Sequence, residues 1–299
     1  MSIKHNKIVV LIVFSIILYK FSGNLYAENF NAGIVMWYSW WDSFWAKPRG
    51  GEVNHGLLAG PALSMNINSS FSISSQLLYG RFDDWTLERR YISTYENLGN
   101  TTLPRDEDGV ADVERLDSDT TFSYYVSRKF KVFLGFKYFA VRSELRMNYF
   151  LPIEIPPSIS ITTSGSIDID SVYYAMGPGF GIGYTIPLTN RLYLSLLSSC
   201  ITMPYGKFMR EVTDNNNGYV FSYNIPIALY GANVTASLSY YSEHFRTTFV
   251  AGIRYQYLII RTYRDYDGID SNAYKLHTVS HNRLDDHFYG LTFAAMYYF

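Results

Sequence analysis

Apolar and polar residues alternate through most of the chain beyond its first thirty positions. In residues 71–81, Phe71, Ile73, Leu77 and Tyr79 fall on one face of an extended segment, and Ser72, Ser74, Gln76 and Gly80 on the other. Successive side chains of a strand point to opposite faces, so this is a strand with one apolar and one polar face. The pattern returns where Phe122, Tyr124 and Val126 oppose Thr121, Ser123 and Ser127, and where Phe130, Val132, Leu134, Phe136 and Tyr138 oppose Lys131, Gly135 and Lys137. It returns again where Val234, Ala236, Leu238 and Tyr240 oppose Asn233, Thr235, Ser237 and Ser239. Ten strands are expected, at 31–40, 57–66, 71–81, 119–127, 130–141, 171–186, 191–202, 232–241, 245–260 and 286–299. Counts of eight or twelve stay open, because 31–66 admits another pairing and 219–231 reads partly as strand.

The connections sort into two kinds. Short polar turns fall at 66–71, 127–129, 187–190 and 242–244, and long polar stretches at 41–56, 82–119, 142–170, 203–232 and 261–285. Alternation of tight turns with long loops is the pattern of a transmembrane barrel, whereas a β-sandwich has no reason to sort its loops this way. The expected fold is all-β: an antiparallel up-and-down transmembrane barrel of one domain over 28–299, with both ends on the periplasmic side.

Composition sharpens this picture. Aromatic residues make up 18% of the 299 and charged residues 17%, against roughly 25% charged in an average soluble domain. A mean hydropathy of -0.05 rules against a bundle of apolar membrane helices. The net charge of -1 removes a general case for binding nucleic acid. Cys200 stands alone, which excludes an internal disulfide and cysteine-based metal or redox motifs.

At the N-terminus, Lys4 and Lys7 precede an apolar run from Ile8 to Leu18, followed by Ser22, Gly23 and Ala27. This is the layout of a secretory signal peptide, expected to be cleaved after Ala27. Residues 1–27 carry three lysines and no acid, so cleavage takes the net charge from -1 to -4.

Backwards from the C-terminus, Phe299, Tyr297, Ala295, Phe293 and Leu291 share one face. This strand resembles the terminal recognition strand of bacterial outer-membrane β-barrels, which ends in an aromatic residue. The resemblance implies a Gram-negative outer membrane as the location. It also implies assembly by the barrel-assembly machinery, with lipid and lipopolysaccharide as surroundings. It is a likeness of class, and no motif of a single family is matched.

Candidate sites remain sparse. Trp37, Trp40, Trp41 and Trp45 cluster where the first strand should leave the bilayer, and are expected to form an aromatic girdle; a sugar-stacking platform is the alternative. Residues 177–183, Gly-Pro-Gly-Phe-Gly-Ile-Gly, put four glycines on one strand face, the pattern of a strand cleared for bulky neighbours. Lys131, Lys137 and Arg254 are expected to face the lumen and pair with acids there, an anion-selective path being the alternative. Residues 82–118 hold ten acids against four arginines, a solvated acidic loop. Within it Asp106, Asp108 and Asp112 do not complete a Ca²⁺ loop, so no metal or other cofactor is expected. Length and strand count are similar to the omptin proteases, outer-membrane barrels in which an Asp pair faces an Asp-His pair. That likeness makes Asp83-Asp84 and Asp285-Asp286-His287 the residues to examine. Strand parity opposes it, since neighbours point to opposite faces. The expected function is a non-enzymatic structural, adhesive or ligand-binding role carried by surface loops, with an unidentified extracellular ligand. An omptin-like protease and a narrow channel are the alternatives.

Overall fold

A computed structural model describes residues 30–42, 53–95, 101–155, 159–216, 218–262 and 283–299. Ten strands run in chain order: β1 Phe30–Asp42, β2 Asn54–Asn66, β3 Phe71–Tyr95, β4 Thr101–Tyr125, β5 Phe130–Ile155, β6 Ile159–Pro187, β7 Leu192–Asp214, β8 Tyr219–Ser242, β9 Thr247–Thr262 and β10 Arg283–Tyr298. Each pairs antiparallel with its sequence neighbours, and β10 returns to β1 through twelve residue pairs from Asn31–Tyr298 to Asp42–His287, closing the barrel. Within the closed wall no sheet edge remains, so the ladder positions there are paired on both sides. The stretch 219–231 is the long end of β8, paired with β7 and β9, and adds no further strand pair.

The tight turns are built by their own side chains. Asn68 Oδ1 accepts from the N–H of Ser70 and Phe71 at 2.8 and 2.9 Å. Ser127 Oγ and Thr189 Oγ1 do the same for Lys129–Phe130 and Arg191–Leu192. Asn, Ser and Thr mimic a backbone turn in this way, which is why they punctuate the alternation.

At the other end the expected loops 82–119, 142–170 and 203–232 prove to be mostly strand. β3 to β8 run for 23 to 29 residues, whereas β1, β2, β9 and β10 have 13 to 16. A 13-residue strand tilted about 40° rises roughly 33 Å, one hydrocarbon core. The longer six continue as an open sheet above the closed wall. Bulges mark the transition at Phe82/Trp85, Met176/Gly179 and Met203/Gly206. The extra residue in β7 switches its inward positions from odd (Ile201, Met203) to even (Phe208, Arg210). The stretches 41–56 and 261–285, and the proposed signal peptide, lie largely outside the described residues.

The hairpin joining β7 to β8 closes on Gly218, whose φ of 68° lies in the left-handed region, and whose N–H reaches Asp214 O at 2.9 Å. Asn215 and Asn216 then tie the hairpin to the neighbouring rim, donating to Ser166, Asp168, Tyr149 and the Ser164 carbonyl.

Candidate functional site in the barrel interior and on its outer wall

Two surfaces of opposite character meet along each strand. On the outer wall of the closed barrel the side chains are apolar and bare: Ile34, Leu134, Phe180 and Ile253 are 60–62% exposed. From the turns upward, the first charged outward residues are Asp42 on β1, Arg81, Glu114, Arg142, Asp170 and Lys207 on β3 to β7, Arg261 on β9 and Asp285 on β10. A continuous apolar band with no charge is stable only against lipid. Above it the polarity inverts. The extended sheet turns Asp108, Asp112, Glu114, Glu144, Arg146, Asp168 and Glu211 outward, and buries Ala111, Val113, Leu145, Ile167, Ile169, Phe208 and Ile225 on its inner face. The loop ranges misread as irregular are therefore strands whose water-facing side carries charge, which hides their period of two.

The band ends in an aromatic girdle, though not the expected one. Trp40 faces outward and stacks on Tyr289 with ring centroids 6.0 Å apart, and Tyr38 packs on His55. Across the barrel, Tyr138 on β5 and Tyr174 on β6 make a further stack. Trp37 and Trp41 are instead buried inside the barrel, at 0 and 2% exposure, because their odd positions on β1 share a face with Ser39. They do not belong to the girdle, and Trp45 lies outside the described residues. Strand parity sorts these tryptophans to opposite faces, which their clustering in the sequence conceals.

Inside, Trp37, Trp41, Leu58, Leu78, Phe139, Tyr173 and Phe288 fill the lumen at the level of the upper band. Trp41 stacks on Phe288 at 5.5 Å, and Phe139 meets Phe288 edge-on at 6.1 Å. Under this plug sits a charged cluster. Arg115 lies 4.0 Å over the Phe288 ring and 4.8 Å from those of Trp37 and Phe139; Arg254 lies 4.4 Å over Trp37. Asp117 accepts from Arg115 Nη2 at 2.7 Å and from Lys137 Nζ at 2.5 Å. Gln256 Oε1 accepts from Arg115 Nη2 at 3.0 Å, and Asn233 Oδ1 from Arg254 Nε at 3.1 Å. A buried carboxylate survives only with such partners. Lys137 and Arg254 thus point into the lumen. Lys131 lies on the same face at the turn end, half-exposed, 5.9 Å from the Tyr125 ring. Arg115, Asp117 and Gln256 were not singled out from the sequence, although Asp117 shares the parity of Thr121 and Ser123.

The glycine run keeps this half of the lumen free of bulk on β6. A methyl group at Gly181 would strike the Phe133 ring, and one at Gly183 the Lys131 and Leu197 side chains. Residues 106–112 lie in extended β4, where Asp108 and Asp112 share the outward face. The omptin-like residues fare similarly. Asp286 is fully buried and accepts from Tyr173 Oη at 2.9 Å, while His287, its neighbour, faces outward with Nδ1 2.8 Å from Tyr255 Oη. Among the described residues no histidine points into the barrel. The side chains of Asp83 and Asp84 lie outside the described set.

On the terminal strand, Leu291, Phe293, Ala295, Tyr297 and Phe299 all face outward, and the Phe299 ring packs on Phe30 at 5.5 Å across the β1–β10 seam.

No family model matches the chain, and no curated protein does. Among solved structures, the outer membrane protease OmpT of Escherichia coli aligns with a TM-score of 0.46 and 10% identity, over 93% of this chain and 99% of that one. The Ralstonia pickettii toluene transporter TbuX aligns with a TM-score of 0.37 and 8% identity, over 92% and 90%. Ail, the attachment invasion locus protein of Yersinia pestis, gives 0.26 and 10%, over 90% and 99%. In architecture the chain resembles outer-membrane β-barrels, and at these scores no activity carries over.

Proposed function

We propose that the chain is a non-enzymatic protein of the bacterial outer membrane, with its tight turns in the periplasm and its sheet extension at the cell surface, where it binds a cationic macromolecule. The observation that carries this reading is the polarity inversion along β3 to β8, from apolar outside within the band to charged outside above it. A lipid-spanning barrel needs only the lower half of these strands. The upper half has its own buried apolar face, so it is a rigid platform and not a set of floppy loops. Among the described residues its outward side is net acidic: Asp108, Asp112, Glu114, Glu144, Asp168, Asp170 and Glu211 outnumber Arg81, Arg142, Arg146 and Lys207. Two of the bases are held by their neighbours, Arg81 on Glu114 at 3.0 Å and Arg142 on Glu144 and Asp170 at 2.7 and 2.9 Å. The surplus is therefore negative and faces water, and attraction at such a face is screened by salt.

We also propose that the outward aromatic set of β10, ending in Phe299, is what the assembly machinery reads. The test of the platform uses the protein in lipid nanodiscs over an immobilised lysine-rich peptide. Binding should weaken steeply with salt and be lost when Asp108, Asp112, Glu144, Asp168 and Glu211 are replaced together by their amides. Binding that survives those replacements, or none at low salt, contradicts the reading.

A further inference from the structure

The charged cluster beneath the plug has too many donors. Arg115, Lys137 and Arg254 are 1, 3 and 6% exposed, and the carboxylate among them is Asp117, at 2%. Asp119 stands 3.9 Å beyond Lys137 and is partly solvated. Asp286, the other buried carboxylate near the plug, accepts from Tyr173. The acceptors of the cluster are already engaged: Asp117 and Gln256 Oε1 by Arg115 Nη2, and Asn233 by Arg254 Nε. Five buried N–H groups remain without an acceptor: Arg115 Nε and Nη1, Arg254 Nη2, Gln256 Nε2 and Trp37 Nε1.

The aromatic contacts do not account for them. A guanidinium resting on a ring uses its flat face, whereas its N–H bonds lie in the plane and still need oxygen. Leaving one such donor unpaired in an apolar interior costs about 1–3 kcal/mol, more for a charged group. Several around one pair of cations make a site in which an acceptor with negative charge is the missing component.

We infer that the barrel interior binds a small oxyanion, a carboxylate or phosphate, between Arg115 and Arg254, with Gln256 and Trp37 as further donors. Two planar guanidinium forks match the paired oxygens of such a group. Access is from the turn end. There Ser74, Gln76, Thr121, Ser195 and Thr235 share the lumen face and are partly exposed, so water reaches them. The plug of Trp37, Trp41, Phe139 and Phe288 closes the opposite side. The site lies on the opposite side of the wall from the acidic platform and does not depend on it.

The experiment titrates inorganic phosphate, acetate and, as a control, the oxygen-free cation tetramethylammonium into the full barrel in detergent micelles. It follows calorimetric heat and tryptophan emission. Saturable binding of phosphate, acetate or both is expected, with an emission change that disappears in Trp37→Phe. Asn233→Asp supplies Arg254 with an internal carboxylate and should weaken binding at least tenfold while the barrel stays heat-modifiable; Arg254→Gln should do the same. The absence of saturable binding overturns the inference, and so does binding that Asn233→Asp leaves unchanged. Because Asn233→Asp adds a partner and removes none, it remains informative if Arg254→Gln fails to fold.

Discussion

At the scale of single residues, the barrel depends on charges placed where they are hardest to hold. Asp117 balances Arg115 and Lys137 inside the lumen, so Asp117→Asn leaves two buried cations short of their counter-charge. Removing one partner of a buried ion pair costs about 3–5 kcal/mol. That loss should appear as a lowered urea midpoint of the barrel in lipid vesicles; an unchanged midpoint would show that water enters the cluster freely. Lys137 and Arg254 could be read from the sequence because their strands alternate cleanly on both sides of them. Asp117 could not be read so easily, because it sits among nine other acids and four arginines between 82 and 118, and composition masked its parity. Trp37 and Trp41 show the same effect: four tryptophans in nine positions look like one girdle, yet Trp37 and Trp41 lie inside the wall and Trp40 outside it.

At the scale of elements, the lipid-crossing strands were legible and their upward continuations were not. An apolar outward face against small polar inward residues produces strict alternation. Above the band the outward face is charged and the inward face apolar, and the bulges in β3 and β7 break the count midway. The same geometry fixes how the extension can be trimmed. Trp85 pairs with Ala111, so replacing 86–110 by an Asn-Gly turn keeps the register below and spares Arg115. The trimmed chain should still shift mobility on boiling, and failure to do so would mean that the β3–β4 extension is needed for closure. For β10, Phe299→Ser is expected to reduce assembled barrel in cells several-fold while refolding from urea into micelles stays near normal. An equal loss in both would make Phe299 a packing residue at the β1 seam, through its contact with Phe30.

At the scale of the whole molecule, the closed barrel is plugged by its own side chains and carries an open sheet above. The plug predicts silence in planar-bilayer recordings, and stepwise conductance only after Trp37→Ala and Phe288→Ala are combined; steady conductance of the unaltered protein would contradict the plug. The lipid-facing band has a natural reporter. Cys200 lies on the outer wall of β7, exposed on the protein itself and paired beside Phe180 and Ala232, midway between the Leu188–Leu192 turn and Lys207. The most direct measurement treats native membranes with a water-soluble maleimide, comparing the unaltered chain with Asp168→Cys. A membrane-spanning barrel predicts no reaction at Cys200 until it is unfolded, and prompt reaction of the cysteine at 168. Prompt labelling of Cys200 in the folded protein would place the apolar wall in water and contradict the membrane-spanning barrel.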